Sequence, residues 1–183
     1  WCETMIPDST LTMSSLSAAD IEIRLDALAA LLQACVADGA SINFNLPYST
    51  EDARGFWRRK VLPRMPDGSL IVLVALSGDR IAGSVQLDCD TPPNQPHRAD
   101  IKKLLVHPDF QRRGIGRRLM TEIERIAADR GRTLLTLDTR TGDKGETLYT
   151  SLGFQIAGII PGYSRDARDP RIVDSATFMF KSL

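Results

Sequence analysis

VHPDFQRRGIGRRLM, residues 106–120, is the stretch on which the reading of this chain turns. Val106 closes an apolar run. From Gly114 onward Ile115, Leu119, Ile123, Ile126 and Ala127 recur at helical spacing, so the segment passes from strand through loop to amphipathic helix. Both glycines fall where that helix begins. The first N–H groups of a helix lack internal partners and its dipole favours negative charge, so the amides of Arg113 to Arg117 are suited to a phosphate. Glycine at 114 and 116 leaves those amides uncrowded and tolerates positive φ, while Arg112, Arg113, Arg117 and Arg118 add charge that can bond phosphate oxygens. Gln111 to Arg117 is therefore a candidate pyrophosphate loop. The dinucleotide pattern G-x-G-x-x-G competes for the same glycines, with Asp138 as its downstream acid. It fits poorly, because Leu119 occupies the third glycine position and seven residues separate Val106 from Gly114.

Upstream of this stretch, RADIKKLLV (98–106) reads as a strand, preceded by the Pro-rich loop DTPPNQPH (90–97). Before it, SLIVLVALS (69–77) and RIAGSVQLDC (80–89) flank Gly78-Asp79 and predict a hairpin. Two helices come earlier. Ser17 with Asp20 starts one that runs to about Asp38, ended by Gly39, with Ile21, Leu25, Leu28, Leu31, Leu32, Cys35 and Val36 on its buried face. Ser49 with Asp52 starts another, carrying Phe56, Trp57 and Val61 before Pro63. A short strand lies near Met13 to Leu16. Downstream, TLLTLDT (133–139) predicts a strand, then a short helix runs through Leu148 and Tyr149 to Gly153, and strands follow near Phe154–Ile160 and Ser175–Lys181. The order βααβββαβαββ places an antiparallel first half and a βαβ second half in one sheet, an α/β fold of mixed, α+β character.

The 183 residues suit one domain, expected over 13–183, with 1–12 as a disordered or extraneous tail. Lys plus Arg (23) equals Asp plus Glu (23), so there is no overall basic field to attract nucleic acid or anionic membrane, and neither is expected as a partner. Cys2, Cys35 and Cys89 have no CxxC spacing, and His97 and His107 form no HExxH pair, so neither a disulfide framework nor a metal site is expected. Cys35 reads as a core residue. No apolar run reaches the roughly 18–20 residues needed to cross a bilayer, and a cytoplasmic location is expected.

Through VHPDFQRRGIGRRLM, the element order and the closing LYTSLGF, the chain resembles the GNAT superfamily of N-acetyltransferases. HRADIKKL, LLTLDT and the run from Leu148 to GIIPGYS look like the tabtoxin-resistance group within it. That resemblance implies a splayed central sheet and acetyl-CoA as donor. It implies Gln111, Gly114 and Gly116 at the pyrophosphate, with Arg112, Arg113, Ile115 and Arg117 in the same loop, and Leu104 to Val106 (Leu104, Leu105, Val106) along the pantetheine. It also implies a small-molecule amine as acceptor, with antibiotic or toxin resistance as the role, and related enzymes suggest a homodimer. The chain departs from the commoner pattern where Gly142 and Gly145 replace an Asn and an Ala.

Acetyl transfer needs a neutral amine, a polarised carbonyl and a proton for the departing thiolate. Tyr149 occupies the family's tyrosine position and is the expected acid; the N–H near Leu105 is expected to polarise the carbonyl. Asp100 opens the strand that enters the loop and Asp138 ends its neighbour, so both are candidate bases, each competing with a turn-capping or ion-pairing role. His97 and His107 are weaker alternatives. Two other functions share these features: protein lysine or N-terminal acetylation, and acetyl-CoA binding without catalysis.

Overall fold

The computed structural model describes residues 11–183. Strand β1 (Leu11–Leu16) leads to helices α1 (Ala18–Ile23) and α2 (Leu25–Ala37). Helix α3 (Thr50–Phe56) continues through a π turn, Trp57–Val61, into a 3-10 turn, Leu62–Arg64. Strands β2 (Leu70–Ser77), β3 (Arg80–Asp88) and β4 (Arg98–Val106) follow, then α4 (Ile115–Asp129), β5 (Leu134–Arg140), α5 (Lys144–Ser151), β6 (Gln155–Arg165) and β7 (Val173–Ser182). The order matches the expected one, with local differences; β6, for one, runs five residues beyond the expected Ile160, to Arg165. β1 starts at Leu11, inside the stretch expected as tail; the rest of that tail, with Cys2, lies outside the described residues. The first helix is broken at Arg24, although the bonds from Arg24 N–H to Asp20 and from Leu28 N–H to Arg24 both survive at 2.9 Å.

Both helix starts have the expected reciprocal caps. The Ser17 hydroxyl accepts from the Asp20 amide at 3.2 Å while the Asp20 carboxylate accepts from the Ser17 amide at 2.8 Å, and Ser49 with Asp52 repeats the arrangement. Two donors are satisfied at each start, which fixes where the helix begins. Pro63 sits within the 3-10 turn, where its missing N–H removes no needed bond.

Among the described residues seven strands form one sheet in the order β1-β2-β3-β4-β5-β7-β6. Every neighbouring pair is antiparallel except β4 with β5, because α4 carries the chain across between them. Strands β2 and β3 are buried on both faces; β2 is accordingly a continuous apolar run, whereas β3 buries Ser84, Gln86 and Asp88 in alternation with Val85 and Leu87. One face meets α4 through Leu73, Val85, Leu87 and Ile101 against Ile115, Leu119, Met120 and Ile123. The other meets α2 and the π turn through Val72 and Val74 against Leu28, Leu32 and Trp57. Cys35 is buried in that second layer, its Sγ donating to the Val106 carbonyl at 3.5 Å, and burial pushes its thiol up to about 12, as befits an inert core cysteine.

Candidate active site

The site follows from how β4 is paired. β3 accompanies β4 from Asp100 to Val106, whereas β5 bonds it only at Arg98, Ala99 and Asp100, opposite Leu134, Leu135 and Thr136. Beyond Asp100 the two parallel strands part, leaving the β5-facing edge of Ile101 to Val106 without a strand partner. Unpaired backbone groups inside a sheet call for another partner, and an extended, amide-bearing chain would supply one. Leu104, Leu105 and Val106 all lie on this open stretch.

At its end α4 begins. Gly114 is the helix N-cap with φ +73°, and the first helical bond runs from the Arg118 N–H to the Gly114 carbonyl at 3.1 Å. The amides of Ile115, Gly116 and Arg117 are thereby left free of the ladder, at the positive end of the dipole. A side chain at 114 would meet no neighbour, so glycine there answers to backbone angle, whereas a Cβ at 116 would come within 3.3 Å of Leu148 on α5. Arg112 also has positive φ, 64°. Gln111 bridges the surroundings: its Nε2 donates to Asp38 at 3.2 Å, and Lys144 Nζ donates to its Oε1 at 3.4 Å. The arginines diverge. Arg117 reaches the Ser151 hydroxyl at 2.7 Å, Arg113 the Asp109 carbonyl at 3.1 Å, and Arg118 turns away to the Leu11 carbonyl at 2.8 Å.

Tyr149 is buried at the base of α5, with its ring centroid 5.9 Å from that of Phe154. Burial first, then the charges of Asp138 and Asp143, push its phenol well above the ordinary value, so it is protonated at neutral pH. The two expected carboxylates differ. Asp100 sits at the last paired position, where Arg98 and Thr136 both donate to it. Asp138 lies past the parting of the strands, exposed, with no hydrogen-bond or ion-pair partner among the described residues, and its charge reaches both Tyr149 of α5 and Lys103 of β4. His107 caps the 3-10 turn Pro108–Phe110, its Nδ1 accepting from the Asp109 amide at 3.2 Å, and the His97 carbonyl accepts from Thr133 and Leu134.

Two features were not read from sequence. Gly83 on β3 is a close-approach position: a Cβ there would lie 2.6 Å from the Leu105 carbonyl oxygen. Lys103 occupies a bulge, with φ +52° and a register shift opposite Ser84 and Gln86. The available signal was the doublet pair Lys102-Lys103 and Leu104-Leu105, which breaks a strand's two-residue alternation by one place.

Residues 68–156 match the family model described as an acetyltransferase (GNAT) domain. An uncharacterized N-acetyltransferase of Methanocaldococcus jannaschii is 35% identical over 86 residues, which is 45% of this chain and 38% of that protein. The chain spans less than half the length of the curated relatives it matches. Among solved structures, Salmonella typhimurium yncA with its cofactor acetyl-CoA superposes with a TM-score of 0.74 at 19% identity, over 94% of each chain. The ribosomal-protein-alanine N-acetyltransferase of Brucella melitensis gives 0.76 at 22% identity, over 94% of this chain and 100% of that one. With its parted β4 and β5 and its glycine-capped α4, this chain has the fold of the GNAT acetyltransferases and carries the match to their domain over residues 68–156.

Proposed function

We propose that this protein transfers the acetyl group of acetyl-CoA to a primary amine of a small molecule. The observation that carries the reading is the three-residue pairing of β4 with β5, which opens the sheet beside a helix start rich in free amides. The residues fit the group. Leu104, Leu105 and Val106 would hold the pantetheine arm along the open edge, and Gln111 to Arg117 the pyrophosphate. Acetyl-CoA supplies an acyl group activated as a thioester. A backbone N–H near Leu105 on the open edge would polarise the carbonyl, Tyr149 would hold a proton for the departing sulfur, and Asp138 would take the proton of the amine, directly or through water. Asp138 is preferred to Asp100 because Arg98 and Thr136 already occupy Asp100.

Thiol release from acetyl-CoA, assayed against amino acids, simple amines, dipeptide-like antibiotics and an amino-acid-derived β-lactam toxin, tests the reading. Amine-dependent release is expected. Acetyl-CoA binding without release would leave a non-catalytic binding module, and acetylation confined to peptide N-termini or lysines would make the acceptor a protein. The β-lactam toxin comes first in that panel on the tabtoxin-like sequence alone.

The homodimer has a surface available. β6 is an edge strand, and Ile156, Ile159, Ile160 and Tyr163, with Val173 of β7, are each about half exposed. A second copy pairing along that edge would cover both its apolar side chains and its free backbone groups. Sedimentation of the purified protein reads the outcome directly.

A further inference from the structure

Lys103 has no part in the chemistry described above, yet its backbone is held in an unfavourable conformation. A left-handed φ costs a non-glycine residue about 1–2 kcal/mol, and Lys103 adopts one at +52°. The bulge separates two successive lysines. Lys102 Nζ donates to the Asp88 carboxylate at 2.8 Å, whereas Lys103 Nζ donates to the Ile42 carbonyl at 2.6 Å and lies 5.0 Å from the centroid of the Phe44 ring. Phe44 in turn packs on Tyr48 and Phe56, with centroids 4.7 and 5.2 Å away. The Lys103 ammonium therefore sits among a carbonyl and aromatic rings. Among the described residues no carboxylate lies within ion-pairing distance of it. Burial lowers its pKa to about 8, Asp138 across the opening being the group that holds the charge up.

We infer that Lys103 and Asp138 together select an acceptor that carries a carboxylate beside its amine, an α-amino acid or a close derivative, with the carboxylate at Lys103 and the amine at Asp138. The inference rests on the proposed acetyl transfer and names its substrate class. An ammonium has three donors, and the Ile42 carbonyl takes one. A bound carboxylate would take the others in charge-assisted bonds, which are the strong ones where water is excluded. A diamine would instead bring a second cation against Lys103, which like-charge repulsion opposes. Two opposite charges on the two sides of one opening fix the direction in which a zwitterion enters.

The test compares L-phenylalanine with 2-phenylethylamine, and L-methionine with 3-(methylthio)propylamine, each at saturating acetyl-CoA. Wild type is expected to favour each amino acid over its decarboxylated partner in kcat/KM. Lys103→Met should raise KM for the amino acids by about 10- to 100-fold, the cost of an unpaired charged group, and leave KM for the amines nearly unchanged. Lys103→Arg should keep the preference. Calorimetry with the same four compounds on the CoA-saturated protein reads the selectivity without turnover, and thermal melting confirms that each variant is folded. Equal effects of Lys103→Met on both members of a pair, or an absence of preference in both turnover and binding, would overturn the inference. Acetylation of the amines without such a preference leaves the proposed activity standing. Failure of every amine to release thiol refutes that activity, and the calorimetry still decides the selectivity.

Discussion

Along one edge β4 is bonded to β3 from Asp100 to Val106, and the contact is so close that Gly83 has no room for a methyl group; along the other, β5 leaves it after Asp100. The closed edge is built from side chains that need each other, with Asp88 tied to Lys102 and Arg64 across it. The open edge is built from groups with no hydrogen-bond partner among the described residues: the helix-start amides and Asp138. A sheet that parts in its middle gives up ladder bonds, and it can do so because the closed edge carries β4 alone. The stability of this region therefore resides on one side of a strand and its proposed chemistry on the other.

The largest expected effect lies on the open side. Tyr149→Phe removes only the phenol oxygen of a buried ring, so packing is nearly kept while the proposed proton donor is lost. kcat should fall about 10²-fold or more, with acetyl-CoA affinity little changed, as read by steady-state kinetics and calorimetry. A wild-type rate would make Tyr149 a packing residue and move the acid elsewhere.

A smaller effect is expected from a change on the closed edge that reaches the open one. Gly83→Ala would set its Cβ 2.6 Å from the Leu105 carbonyl oxygen and 3.1 Å from Leu119 Cδ1. The first neighbour is backbone, so β4 itself must shift. Overpacking of this kind costs about 1–3 kcal/mol, and the displaced backbone of β4 should lower kcat in protein that remains folded. Gly78→Ala, in the β2–β3 turn at φ +58° with open space around it, is the control: strain without a shift of β4. If Gly83→Ala loses stability but not activity, the position of β4 at the opening does not govern the reaction.

Much of this arrangement was legible in the residues because it rests on local signals. Turn residues on either side bounded RADIKKLLV as a strand over the same residues the structure shows, and Ser-x-x-Asp marked both helix starts because a reciprocal cap is a local, four-residue event. The break at Arg24 was hidden, since the apolar spacing and both flanking hydrogen bonds run through it. So was the difference between Asp100 and Asp138. Both are strand-end aspartates by sequence, and only the register of β4 on β5 puts Thr136 beside Asp100 and leaves Asp138 beyond the last paired residues of the two strands. Lys103 lay between, announced by the doubled lysines but placed only by tertiary contacts with Phe44 and Ile42.

The smallest effect concerns the closed edge alone. The Asp88 side chain is 6% exposed, and its carboxylate receives Arg64 Nη1 at 3.1 Å and Lys102 Nζ at 2.8 Å. Burial by itself would raise its pKa, but those two cations and the Asp90 amide more than offset it and hold the carboxyl below the usual carboxylate range. A carboxyl depressed on folding contributes stability above its unfolded pKa, near 4, and loses that contribution as pH falls through the folded value. Asp88→Asn should therefore destabilise the protein at neutral pH by about 1–2 kcal/mol, less than a fully buried pair because both cations reach water. Its Tm should fall by a few degrees. In acid the two melting curves should converge, because wild type has by then protonated the same group. The parted edge is untouched by this change, so acetyl-CoA affinity at neutral pH should stay at the wild-type value. A loss of affinity as large as the loss of stability would mean that the two edges of β4 are coupled, and that the ion pairs on one side hold the opening on the other.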